Sequence, residues 1–267
     1  MLKKTVVYDA FDHVGAIIAN DVIGRFFAFI ERTLIRWSDL AIFPEPIRLR
    51  QYGLRPEAKI HFISNIPDRA DIPIASPVHD FAGPLTVAYV GTLEARHRAL
   101  EWIGDLCDRF PDIRWTVAGL GAVASEMQRL SQEHQNLTFV GQVSYQQALE
   151  ILQAADCHFG CYLLSAPAHE FAAPNKVYEH LALGRALITN RGTPAGDLVA
   201  DHGTGFVFDG TIEGLEEILG RLTRETCRVK GANARRAWDE TFAGKREAQL
   251  EEYFNALAET LAPASAR

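Results

Sequence analysis

The chain has 267 residues, a formal net charge of −7 and four cysteines. Its length and ordinary apolar content allow one large or two small globular domains. The acidic balance argues against nucleic-acid binding, no stretch approaches the roughly 20 apolar residues that span a bilayer, and the start, Met1-Leu2-Lys3-Lys4 before a brief apolar run, lacks a signal-peptide pattern. Cys107, Cys157, Cys161 and Cys227 have neither zinc-site nor redox spacing, so a metal site is not expected and a reducing cytoplasm fits.

In chain order, apolar periodicity predicts strands at Thr5–Tyr8, Leu40–Phe43 and Ile60–Ser64, with a long helix at about Asp21–Trp37. That helix sets Arg25, Arg32 and Arg36 among large apolar residues, within a first 60 residues that carry a slight excess of Lys and Arg. Such a helix lies on a membrane surface or serves as a core helix with one solvated face. Residues 70–83, rich in Pro and small side chains, read as a linker. A second part follows, with strands at Leu85–Val90, Ile113–Ala118, Leu137–Val140, Cys157–Cys161, Ala186–Asn190 and Gly205–Phe208. Helices are expected at Ala99–Arg109, Ala122–Glu133, Tyr145–Ala154, Asn175–Leu183, Ile212–Arg224, Val229–Thr241 and Lys245–Leu261. Strand and helix alternate, which implies parallel sheets and an α/β fold. The expected divisions are residues 1–80, 84–242 and a C-terminal helix and tail at 243–267.

The run from Ala173 to Ile188 carries most of the chemistry. Pro174 suits a helix start because its missing N–H is not needed there, and Gly184 suits a helix end because it accepts the left-handed cap. Between them Asn175, Lys176 and Glu179 fall on neighbouring positions of one helix. A helix N-terminus favours an anion such as phosphate. Lys176 adds a full charge there, and Glu179, one turn on, is placed to accept hydrogen bonds from sugar hydroxyls. An amphipathic helix with a surface ion pair is the plainer reading of the same residues.

This run resembles the donor-site helix of GT-B glycosyltransferases, in particular the large retaining family 4. Further stretches match in order: Val87-Ala88-Tyr89-Val90-Gly91-Thr92, Trp115 to Gly121, Val140-Gly141-Gln142-Val143-Ser144, Ala154 to Phe159, and Thr189-Asn190-Arg191-Gly192-Thr193-Pro194. The resemblance runs from about Pro84 to about Tyr253. It implies a GT-B protein with a complete C-terminal Rossmann-like donor domain, and transfer of a sugar from a nucleotide sugar to a glycan or lipid-linked acceptor in cell-surface polysaccharide or glycolipid synthesis. By the same resemblance Gly91 and Thr92 approach the diphosphate, Arg96 or its neighbour Arg98 and Lys176 neutralise it, Glu179 holds the ribose, Asn175 contacts the donor, and Val143 and Ser144 border the base. No metal or other cofactor is implied.

The chain departs from the family in two places. The spacing of the family's acidic pair lands on Phe171, and Glu170 stands one residue away, so Glu170 is the candidate sugar contact. Only about 80 residues precede the donor domain, where a family member has a whole acceptor-side Rossmann domain. Asp12 and His13 are expected in a loop facing the cleft, His13 as an acceptor anchor or proton carrier. An incomplete sheet leaves an unpaired edge and poorly covered Val6, Val7, Ile42 and Phe43, which predicts a partner chain or self-association. Three readings follow: an active transferase, cytoplasmic or peripheral at the inner face of a membrane; a partner-dependent donor-binding subunit of a split GT-B enzyme; and a sugar-nucleotide epimerase-like protein.

Overall fold

The computed structural model describes residues 4–10, 13–14, 18, 21–73 and 83–262. The chain forms two compact units, one made of Met1–Ile66 with Gly244–Arg267 and the other of Pro67–Ala243. Asp12 and most of the expected linker lie outside the described residues.

The first unit is a three-stranded parallel sheet of order β1-β2-β3, with β1 at Val7–Asp9, β2 at Leu40–Phe43 and β3 at Ile60–Phe62. Helix α1, Asp21–Trp37, connects β1 to β2. Its C-terminal carbonyls are met by one cation: Lys59 Nζ donates to the carbonyls of Ile35 at 2.9 Å, Arg36 at 2.8 Å and Ser38 at 3.2 Å, where the helix dipole favours positive charge. A short helix α2 spans Arg48–Gln51. The core joins Ile35, Ala41, Phe43, Leu49, Tyr52 and Ile60. Phe43 is fully buried with its ring edge on Tyr52 at 5.4 Å, so the expectation that it lacks cover is corrected, whereas Val6 and Val7 are exposed as expected. The C-terminal helix Lys245–Leu261 belongs to this unit through its side chains: Gln249 Oε1 accepts from Ser64 N at 3.0 Å, and Glu252 lies 3.5 Å from His61 Nδ1.

The second unit alternates strands and α-helices: β4 Leu85–Val90, α3 Ile103–Arg109, β5 Ile113–Ala118, α4 Ala124–Glu133, β6 Leu137–Gly141, α5 Tyr145–Ala154, β7 Cys157–Phe159, α6 Lys176–Leu183, β8 Ala186–Asn190, α7 Pro194–His202, β9 Gly205–Phe208, α8 Ile212–Gly220 and then α9 Arg224–Ala237. The six strands are parallel in the order β6-β5-β4-β7-β8-β9. Strand order therefore reverses between β4 and β7, the point where open α/β sheets collect ligands beyond the carboxyl ends of the strands. The central strands are buried on both faces, with Val87, Trp115, Phe159 and Ile188 in one core with Leu100, Ile103, Met127 and Leu215.

Three elements differ from expectation. The first turn of the helix expected from Ala99 is a 3-10 turn, Leu100–Trp102, because Ala99 takes a left-handed φ of 57°. Helix α7, Pro194–His202, has no counterpart among the expected helices; it is capped by Thr193, whose Oγ1 accepts from Gly196 N at 3.1 Å. Helix α9 starts at Arg224 rather than Val229, under a reciprocal Thr223–Thr226 cap, and runs into a π-helical turn, Trp238–Phe242.

Candidate functional site

The site begins where β4 ends. Gly91 has φ +152°, and a Cβ there would meet Lys176 Nζ at 3.1 Å. The turn after β5 presses against it: a Cβ on Gly119 would run into the Gly91 carbonyl, and one on Gly121 into the Leu93 carbonyl. Both glycines hold positive φ, at +141° and +148°, so side-chain-free backbone is required at this approach. Backbone bonds stitch the two turns, Gly91 N to Ala118 O at 3.0 Å and Leu93 N to Leu120 O at 2.9 Å. Tyr89, buried at the end of β4, donates its hydroxyl to Thr92 O at 2.5 Å and so fixes the turn.

Helix α6 brings the next groups. Asn175 occupies its N-cap position, exposed, and its side chain makes no capping bond. Lys176 turns back across the sheet. Its stem lies over Gly160, where a Cβ would come within 2.5 Å of Cδ, and its ammonium donates to Val90 O at 2.5 Å while standing 4.3 Å from the Tyr89 ring centroid. Burial lowers its pKa to about 8, the Glu179 carboxylate opposing that shift and the Arg98 charge adding to it. Glu179 is buried one turn on. Desolvation raises its pKa, against the Lys176 charge and a hydrogen bond donated by the Tyr145 hydroxyl. The chain's expected diphosphate turn, cation and carboxylate are thus gathered at the carboxyl end of one sheet.

The loop after β4 sets its two arginines apart. Arg96 takes a left-handed φ of 67° and is exposed. That turn, with the second at Ala99, directs Arg98 inward instead: its Nε donates to Glu94 at 3.1 Å, and its guanidinium carbon stands 4.4 Å from the Tyr162 ring centroid. Arg98, not Arg96, is the cation of this loop whose charge reaches Lys176. Tyr162 is held by Asn190, whose Oδ1 accepts from Tyr162 N at 2.6 Å and whose Nδ2 donates to Tyr162 O at 2.8 Å. Neither Asn190 nor Gly160 was singled out from sequence; the pairing of an amide with a loop 28 residues away leaves no local signal.

Glu170 is exposed on a 3-10 helix, Pro167–Phe171. Its neighbour His169 is the buried member, donating Nδ1–H to Leu163 O at 2.9 Å and lying edge-on to Tyr162. Val143 and Ser144 do precede α5, but the Ser144 hydroxyl is committed to a capping box with Gln147. The residue of that turn that meets the α6 carboxylate is Tyr145. The Ser144 cap marks the helix start, but nothing local pairs Tyr145 with a carboxylate on another helix.

In the first unit His13 is buried rather than loop-exposed. Its ring stands edge-on to Tyr52 at 4.5 Å, and its Nε2 is 3.8 Å from Glu31, which also accepts from Val14 N at 3.1 Å. Desolvation lowers its pKa, the Glu31 charge opposing. This is the packing of a polar core, where a loop position was expected. Among the described residues no cluster of His, Cys, Asp and Glu has the form of a metal-ligand set, and no helix is long and apolar enough to cross a membrane.

The model of the family "Glycosyl transferases group 1" matches residues 71–240. Solved structures share the fold at low identity. Sucrose-phosphate synthase from Thermosynechococcus elongatus superposes with a TM-score of 0.69 at 14% identity, covering 95% of this chain and 68% of its own. Anabaena HepE, solved with UDP-glucose, gives 0.68 at 17%, covering 97% and 72%. A chain of the GtfA/B complex gives 0.63 at 12%, covering 88% and 48%. These likenesses give a GT-B fold of which this chain represents a part. No curated protein matches the chain.

Proposed function

The chain belongs to the group 1 glycosyltransferases, and on that premise we propose that it moves a sugar, with retention, from a nucleotide-sugar donor to a glycan or lipid-linked acceptor in cell-surface polysaccharide or glycolipid synthesis in the cytoplasm. The observation that carries the donor half is the placement of Lys176 against Val90 O and Gly91 with Glu179 one helical turn behind it. In this reading the backbone at Gly91 and Thr92 approaches the diphosphate, and Lys176, Arg98 and the start of α6 stabilise the leaving group as the glycosidic bond breaks. Asn175 contacts the donor at the helix start. Glu179 holds the ribose, Tyr145 fixes that carboxylate, and Val143 offers backbone to the base. Glu170, exposed beside the site helix, is the sugar contact this reading assigns. Neutralisation by these side chains makes a divalent cation dispensable, so turnover in EDTA equals turnover in magnesium. The solution of HepE with UDP-glucose supports a uridine donor as the first to try.

A second reading has support from β1, which pairs on one side only among the described residues, and from exposed Val6 and Val7: the chain binds donor and needs a partner chain for transfer, as a likeness to one chain of the GtfA/B complex suggests.

A thermal-shift screen against uridine, guanosine and adenosine diphosphates and their sugar conjugates tests the donor site, because a ligand of the folded state raises the melting temperature. A base-selective shift is expected. No shift from any of them, with a folded sample, overturns it. Donor hydrolysis by the isolated chain then separates the two readings, since binding without turnover favours the partner-dependent subunit.

A further inference from the structure

Helix α1 of the first unit is apolar on the wrong side. Its core-facing positions, Gly24, Glu31 and Ile35, follow one another at helical spacing and are buried. The opposite stripe runs Val22, Phe26, Phe29 and Trp37, at the i, i+4, i+7, i+15 spacing of one helical face. Their exposures are 70%, 60%, 66% and 79%, among the largest of any apolar side chain described. One flank continues this surface with Ile23, Phe27 and Leu34, which are also exposed. The other flank carries Arg25 and Arg36, both exposed, whereas Arg32 on the same side turns back over Gly53 with its Nε buried. The helix's internal carboxylate, Glu31, is buried against His13 and the Val14 amide.

From this juxtaposition we infer that α1 docks in the plane of an anionic lipid bilayer, its Val22–Phe26–Phe29–Trp37 face entering the headgroup boundary and its arginine flank meeting the lipid phosphates. The inference is independent of the donor chemistry. The hydrocarbon boundary of a bilayer covers that face, and long arginine side chains at its margin reach out to the headgroups. The charge is complementary as well. A chain of net charge −7 is repelled by an anionic membrane everywhere except at a basic patch.

Trp37 is a built-in reporter, because Trp115 and Trp238 are buried and Trp102 is packed against the core of the second unit. The full chain is titrated with vesicles of phosphatidylglycerol and phosphatidylcholine, and separately with phosphatidylcholine alone, while tryptophan emission and co-sedimentation are followed. The expected result is a blue shift and co-sedimentation with anionic vesicles, at least about tenfold weaker on neutral ones and weakened by salt. Trp37→Phe removes the shift and keeps the sedimentation. Phe26→Glu with Phe29→Glu removes both; these side chains are solvent-exposed, so the melting temperature and any nucleotide-induced shift stay native. Absence of binding to either vesicle overturns the inference, as does binding that the double variant leaves unchanged. Sedimentation equilibrium showing a dimer that the double variant dissociates, with vesicles ignored, overturns it in favour of a second copy as the occupant.

Discussion

The Lys176 ammonium lies 2.5 Å from the Val90 carbonyl oxygen, at the last residue of the first strand of the second unit. A side chain from a helix 86 residues further along the chain thereby closes the end of β4. The carbonyl and the Tyr89 ring hold the cation partly desolvated, poised beside Gly91. Desolvation strengthens its pull on an incoming phosphate.

Lys176→Ala is expected to weaken nucleoside diphosphate binding about 10- to 100-fold, in line with about 1.5–3 kcal/mol for a hydrogen bond to a charged group. Nucleoside binding should stay unchanged. Calorimetry of both ligands decides it, and equal losses would sink the phosphate role.

Affinity for the diphosphate should also depend on pH. Burial lowers the Lys176 pKa to about 8, so the free protein loses the ammonium as pH rises through that value and affinity falls. The phosphate opposes deprotonation and moves the midpoint upward in the complex. Lys176→Arg removes the dependence, since guanidinium does not titrate in this range. A flat native profile between about pH 7 and pH 9 would contradict the assignment.

Gly160→Ala should spare the fold and injure the site. The new Cβ would sit 2.5 Å from Lys176 Cδ, a flexible neighbour, so the stem moves at a cost on the order of 1 kcal/mol of stability while diphosphate affinity drops roughly tenfold. Gly119→Ala is the contrast: its Cβ meets the Gly91 carbonyl of a turn that cannot give way, and a loss on the order of 3 kcal/mol of stability is expected. Paired melting and binding curves separate the two.

Glu179→Ala should weaken a ribonucleotide donor about tenfold and leave its 2′,3′-dideoxy analogue unaffected. Tyr145→Phe removes the hydroxyl donated to the same carboxylate and should give a smaller loss with the same sugar selectivity. Equal effects on both analogues would place Glu179 away from the ribose.

Two buried histidines make the second unit acid-sensitive. His158 Nε2 donates to Leu152 O at 2.9 Å and His180 Nε2 lies 3.0 Å from Thr204 Oγ1, and burial lowers both pKa values to about 3. The unfolded chain therefore binds more protons than the folded one below the ordinary histidine value of about 6.5. Stability is fully present above that value and declines as pH falls towards about 3, by up to roughly 1.4 kcal/mol per pH unit for each group. His158→Gln, whose amide still reaches a carbonyl, should flatten the slope of melting temperature against pH; an unaltered slope would show that other groups govern it.

Much of the second unit was legible because its signals are local. Strands such as Leu85–Val90, Ile113–Ala118 and Ala186–Asn190 are short apolar runs bounded by glycine turns, and they form where periodicity placed them. Lys176 and Glu179 were found because helical spacing and the Pro174 and Gly184 punctuation are read within one turn. The turn of the loop after β4 was not legible: a left-handed Arg96 and Ala99 have no residue-type signature, so sequence does not separate Arg96 from the inward Arg98. The Ser144 side chain closes a cap three residues on, a bond that residue type and spacing do signal.

By itself, then, the sequence determined the alternation of strands and helices, from which parallel sheets follow, and the place of the helix Lys176–Leu183, because each element's signal lies in residues near one another in the chain. Tertiary structure alone decided what those residues face. It set Gly160 beneath Lys176, joined Tyr145 to Glu179, tied Asn190 to Tyr162, buried His13 against Tyr52 and left Phe26, Phe29 and Trp37 in solvent. Burial and proximity across strands are properties of the packed chain, and they govern both the desolvation that tunes a charge and the exposure that a partner surface requires.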